Sequence, residues 1–522
     1  MSQKRLLTLG IMIIAVGVVA VISAVVISSD FAAQYLFPDR ELTEVGLKQL
    51  ARIRLVSLII GGFLCLAGIF ITRFRERMAR IASFNFFLSA AVVFLLLAGL
   101  VLVGLNSLLL SVFSVDLGTS LTFPVSQFWL RSGFAGWYFF FPFVGLAWFA
   151  WKLRSKGGVF VLWLCGLFLL VFGNLIQGGY EEGFLQPFSK GKVQYYHDAV
   201  EVDDGTAWLK KFNDIQPDLR VHSKTHPPFA VLGHYWVLKG LGIHGLPLLF
   251  VLLTSLTASM VYCVLLELGC QREDAFRLSL LFAALPAFNI FGAVCLDGVI
   301  CAFMTLGLWG LVRLWKRGLE PLGIVALLLG LGLSNLLSFG AIFLIGVVGV
   351  FIIKAMFIDR RLNLGVGLIF CLGLFGLLLA GLKAGFGYDH LRAFLTASRL
   401  ENPGGFYLLA QPVQYAATRI EGIVEILLFF SLPCAALFIF HRRFKLGLNK
   451  EAMFFALTGV SVLAAMLLTG AYRKGETARV CLFIYPYLIL FLADGTRENL
   501  SKIIVLALTQ TAVMQLIGNY FW

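Results

Sequence analysis

The sequence predicts an all-α polytopic membrane protein with about 13–15 transmembrane helices. Three observations predict it. Of 522 residues, 60% are hydrophobic and 13% charged, which lies outside the range of soluble globular chains. Apolar runs of about 20 residues recur along the whole length, each able to cross a hydrocarbon core of roughly 30 Å; a β-barrel would show short alternating segments instead. Basic clusters at 73–80, 152–156, 316–317, 359–361 and 441–445 separate the runs so that all fall on one side, the cytoplasmic one by the positive-inside rule. The net charge of +14 is therefore read as loop charge, and no nucleic-acid partner is expected.

The expected spans, in order, are 6–28, 54–72, 84–111, 135–151, 158–176, 246–268, 276–293, 298–315, 321–335, 339–357, 363–383, 423–441, 451–470, 479–493 and 503–520. The first is too long for a signal-peptide core and lacks a small-residue cleavage site, so it reads as a span with Lys4 and Arg5 in the cytoplasm. The pair 321–335 and 339–357 is short and interrupted at 333–338, as spans lining a cavity often are. Two blocks are expected: a four-helix membrane block at 1–151 and a larger core at 152–522. The nine cysteines are odd in number and lie mostly within apolar runs, which argues against a disulfide framework and a Cys-ligated zinc site. That pattern and the compact loops point to a prokaryotic cell (inner) membrane.

Three segments then fall on the outer side: 177–245, 384–422 and 471–480. The first carries Lys190, Lys192, Lys210, Lys211, Arg220 and Lys224, against the charge rule, so an anionic ligand is expected there, although long loops do translocate regardless of charge. Within it, Asp203 or Asp204 can cap a surface helix bearing Trp208, Leu209 and Phe212. The stretch HSKTHPPFAVLGHYW (222–236) places two prolines between a polar and an apolar half. Pro228 suits a first helical turn and Pro227 disfavours a helical backbone at His226, so 222–226 is expected to be an extended strap. The segment after it is too short to cross and fits an interfacial helix, with Tyr235 and Trp236 at headgroup depth.

An acid pair just past a span (Glu181-Glu182), followed in the same loop by THPPFAVLGHYW (225–236), resembles the GT-C superfamily of membrane glycosyltransferases. ETARVCLFIYPYLILFLA (476–493) is similar to a span of the aminoarabinose and protein mannosyltransferase branch, and LPAFNIFGAVCLDGVICAFMTLGLW (285–309) carries an acid that opens a span, as such enzymes often do. The acid pair is Glu-Glu where the family commonly has Asp-Glu, and Phe229 follows the prolines. The resemblance covers roughly 152–522 and implies a polyprenyl-phosphate sugar donor, a lipid, glycan or protein acceptor, and transfer at the outer face.

Such a transfer needs a base for the acceptor hydroxyl and positive charge for the departing lipid phosphate. Glu182 and Glu181 are the first candidates for the base and Asp198 the second. His222, Lys224, His226, Arg473, Lys474 and Arg479 are candidates for the phosphate; Asp297, Glu476, His390 and Arg399 for other substrate contacts. Asp297 could equally cap the helix that follows it. The outer acids are compatible with a divalent cation, Mg or Mn, but no ligand spacing is diagnostic. No Gly-rich phosphate loop supports a nucleotide-sugar donor. A flippase of lipid-linked saccharides, or an O-antigen-type polymerase or ligase, is the alternative; a flippase needs polar groups along a path through the spans.

Overall fold

A computed structural model describes residues 3–26, 44–74, 76, scattered positions between 92 and 103, 125–126, 129–131, 133, 135–153, 158–440, 450–472, 475–493 and 500–520. The chain is an all-α, multi-pass membrane protein; among the described residues seven helices are long and apolar enough to span, or eight if one bent pair counts as a single span. This is fewer than the sequence predicts. Helices Trp137–Phe149, Pro321–Leu337 and Leu482–Leu492 are apolar but shorter than these seven, and the expected span 276–293 splits at Leu285-Pro286 into Arg272–Ala284 and Pro286–Phe291. The expected span 84–111 lies almost wholly outside the described residues.

The chain divides into two compact units, the first made of 1–127, 411–428 and 432–442. In that unit Gln3–Val26 and Glu44–Arg73 pack antiparallel through facing glycines: a Cβ on Gly17 would come within 2.8 Å of the Gly61 carbonyl. Without a hydrophobic drive inside lipid, such backbone approach is what holds helices together. The expected span 423–441 is instead Pro412–Phe429 followed, after a 114° bend, by Leu432–Phe438. This helix buries Arg419, Glu421 and Glu425, of which the first two fall in the sequence-predicted loop.

In the second unit a polar layer joins three helices. Asn174 donates to the Asn289 carbonyl (2.8 Å), Asn289 to the Leu169 carbonyl (2.8 Å), and Gln515 to Asn289 Oδ1 (2.9 Å). Asn289 Oδ1 would lie 2.1 Å from a Cβ at position 173, so only glycine fits there. At the end of the bundle away from the 177–245 segment, Glu267 pairs with Arg313 (2.9 Å) and Arg317 (2.7 Å), Lys316 with Glu451 (2.6 Å), and Arg361 donates to the Trp315 carbonyl (2.8 Å). The basic clusters 316–317 and 359–361 therefore do share one end.

The 177–245 segment folds as short helices. Asp204 caps Gly205–Ile215, accepting from the Thr206 (2.8 Å) and Ala207 (3.4 Å) amides, as expected. Phe229–Leu241 is helical and opens directly after Pro228. The extended strap is not formed: Val221–Lys224 is a helical turn, with Lys224 N bonded to the Arg220 carbonyl at 2.9 Å and Thr225 Oγ1 to the Val221 carbonyl at 3.1 Å. Proline restricts only the residue immediately before it, so the bias reaches His226 and no further. Trp236 is exposed, but Tyr235 is buried and donates to the Asp203 carbonyl (3.1 Å).

Candidate functional site

A cavity of about 1250 Å³ opens in the second unit where this segment meets the ends of several spans. One wall is polar: Lys224 and His226 from the loop, Asp297 from the start of Leu296–Arg317, and Glu476 and Arg479 from around the turn Thr477–Val480. The other is apolar, with Ile342, Ile345, Val462 and Met466. Asp297 lies in the first turn of its helix, where a negative charge meets the positive end of the peptide dipoles.

Arg479 sits between two carboxylates. It pairs with Glu476 through Nη2, and its Nε lies 3.6 Å from Asp297 Oδ2, an ionic contact too long for a hydrogen bond. The pair places two negative charges on one positive, so Arg479 brings no surplus charge to a ligand. Glu476 has a left-handed backbone, φ 54° and ψ 13°, costing a side-chain-bearing residue roughly 1–2 kcal/mol. Strain of this kind clusters at functional sites.

Lys224 makes no ion pair or side-chain hydrogen bond among the described residues, while its carbonyl accepts from Gln216 Nε2 at 2.9 Å. The nearby histidines are not cations. Burial, then the Arg479 charge, pushes His222 down to about 3; burial, then His222, pushes His226 down to about 3. His226 Nδ1 lies 3.0 Å from the His222 carbonyl, an acceptor, so Nδ1 carries the proton and Nε2 keeps its lone pair. Tyr195 packs among His222, His226 and His234, with ring centroids 5.8, 5.3 and 5.3 Å away. Burial, then Asp297, holds its phenol well above the usual range, so it stays protonated.

The cavity thus gathers His222, Lys224, His226, Asp297, Glu476 and Arg479. The favoured acids lie elsewhere. Glu181 and Glu182 begin a π-helical turn outside the cavity lining, and Glu182 pairs with Arg131 at 2.8 Å. Asp198 is buried and held by Arg220, at 2.7 Å to Nη1 and 3.3 Å to the backbone amide. His390 borders a second cavity and Arg399 is exposed on the helix His390–Glu401, lining neither. Arg473 and Lys474 lie outside the described residues. Sequence reasoning missed Tyr195 and Glu401, which line the large cavity, and Arg131. The YYHD stretch draws attention to Asp198, yet it is Tyr195 that borders the cavity. Among the described residues no group of three or more His, Cys, Asp or Glu is arranged for a metal ion, and Asp297 and Glu476 are engaged by Arg479, so this donor set does not fit a divalent cation. The chain matches no family model, no curated protein and no solved structure.

Proposed function

We propose that the protein is an integral-membrane glycosyltransferase that moves a sugar from a polyprenyl-phosphate donor to a hydroxyl acceptor at the outer face of the membrane. One observation carries the reading: a single large cavity joins a cationic and carboxylate wall to an apolar one, the two halves of a lipid phosphate. Lys224 faces the phosphate, whose charge grows as the sugar leaves. Asp297, whose Oδ2 lies 3.6 Å from Arg479 Nε, is the general base. The acceptor oxygen bonds to the anomeric carbon as the carbon–oxygen bond to phosphate breaks; the electron pair stays on the phosphate and the acceptor proton passes to Asp297. His226 Nε2 and Tyr195 orient sugar hydroxyls.

The flippase reading is favoured by the burial of Arg419, Glu421 and Glu425 in the bent helix of the first unit, since ionisable groups within spans often mark a transport path. Reconstituted vesicles loaded with a labelled polyprenyl-phosphate sugar separate the two. Label moving to a new acceptor supports transfer; label crossing the bilayer on its original lipid supports flipping and overturns the enzyme.

A further inference from the structure

A second cavity of about 340 Å³ lies beside the first and has Phe339, Ile342, Ile345 and Phe394 as shared walls. Phe339 and Phe394 meet edge to face at 5.7 Å, and His390 packs on Phe339 at 5.2 Å. The volume is at the low end of small-molecule sites, roughly 300–1,000 Å³.

Its charges are balanced internally. Lys383 pairs with Asp389 at 2.7 Å, and Asp389 Oδ1 also accepts from the Arg392 amide at 3.0 Å. Two polar groups remain open. Asn335, 3% exposed, uses its amide nitrogen on the Leu331 (2.9 Å) and Ala341 (3.5 Å) carbonyls, and its amide oxygen has no partner among the described residues. His390 Nδ1 meets the Tyr388 hydroxyl at 2.8 Å, and Nε2 has no partner among the described residues; burial pushes this imidazole down to about 4, so it is neutral. The rest is apolar, including Leu379 on the helix Leu362–Phe386, whose other flank exposes Leu377 and Leu378 as a lipid-facing helix would. Buried polar groups need partners, and an anion would find no uncompensated cation here.

We infer that this second cavity holds the acceptor, and that the acceptor is an uncharged, hydroxyl-bearing amphiphile drawn from the membrane. A hydroxyl that does not react donates to Asn335 or meets His390, and the apolar body lies against Leu379. The aromatic pair marks the boundary between the two cavities, past which the reacting hydroxyl reaches toward Asp297. The inference rests on the glycosyltransferase reading, and its test separates the two.

The full chain in neutral-lipid nanodiscs is photolabelled with a diazirine-bearing alkyl glucoside and, separately, a diazirine-bearing alkyl phosphate, and insertion sites are mapped by mass spectrometry. The glucoside is expected at residues 375–379 and 391, and the phosphate at 462–466. His390→Phe and the cavity-filling Leu379→Trp each reduce glucoside insertion about tenfold, the scale of one lost hydrogen bond or of steric exclusion. Both leave phosphate insertion unchanged. Glucoside insertion confined to the large cavity, insensitive to Leu379→Trp, or absent overturns the acceptor site while the donor site stands. Phosphate insertion missing from 462–466 overturns the donor reading, whatever the glucoside does.

Discussion

Two of the arginine–carboxylate sites in the second unit differ in their surroundings. Arg131 and Glu182 meet at 2.8 Å, with side chains 11% and 48% exposed, outside either cavity. Arg479, Asp297 and Glu476 meet within the cavity wall, with side chains 13%, 17% and 31% exposed. Water reaches the Glu182 end of the first pair and weakens it. The second keeps charged groups at low dielectric in a cavity wall that also holds Lys224, which makes no ion pair among the described residues. A conspicuous acid pair in a loop thus lies outside both cavities, while an acid that a distant segment holds in place lines one.

Asp297→Asn separates the sites most sharply. Loss of a general base costs about 10²–10⁴-fold in transfer rate, while Glu182→Gln stays near wild type, both read in vesicles with folding checked by size exclusion. Lys224→Ala follows with about a 10²-fold loss, the scale of one lost electrostatic donor, and Lys224→Arg recovers part of it. In stability, Arg479→Ala leaves two carboxylates uncompensated and lowers it by about 3 kcal/mol, whereas Arg131→Ala costs about 1 kcal/mol or less. Thermal unfolding in detergent compares the two.

A pH series adds a smaller effect. His222, His226 and His234 are depressed from 6.5 to about 3, 3 and 4, chiefly by burial. The unfolded chain then binds more protons than the folded one below about 6.5, so stability is full above that pH and declines as pH falls toward 4. His226→Asn flattens the decline. An unchanged melting profile between pH 7 and 5 would show these imidazoles to be open to water.

Much of the fold was legible. Hydropathy finds most spans because lipid forces apolar, internally hydrogen-bonded segments, and Asp204 shows its capping role in one turn of chain. His222, Lys224 and His226 could be read as one cluster because they are close in sequence. Asp297 and Glu476 could be named singly but not joined, because tertiary packing alone brings them to Arg479. The strap failed because a proline's local bias was extended beyond its reach. The helix Pro412–Phe429 was misplaced because Arg419, Glu421 and Glu425 lower the hydropathy of a segment that tertiary burial nonetheless encloses.

The most direct test is sugar transfer from a labelled polyprenyl-phosphate donor by wild type, Asp297→Asn and Glu182→Gln in the same vesicles. Transfer by wild type and Glu182→Gln, with none by folded Asp297→Asn, is the predicted result. Transfer retained by Asp297→Asn and lost in Glu182→Gln contradicts it and returns the chemistry to the exposed acid pair.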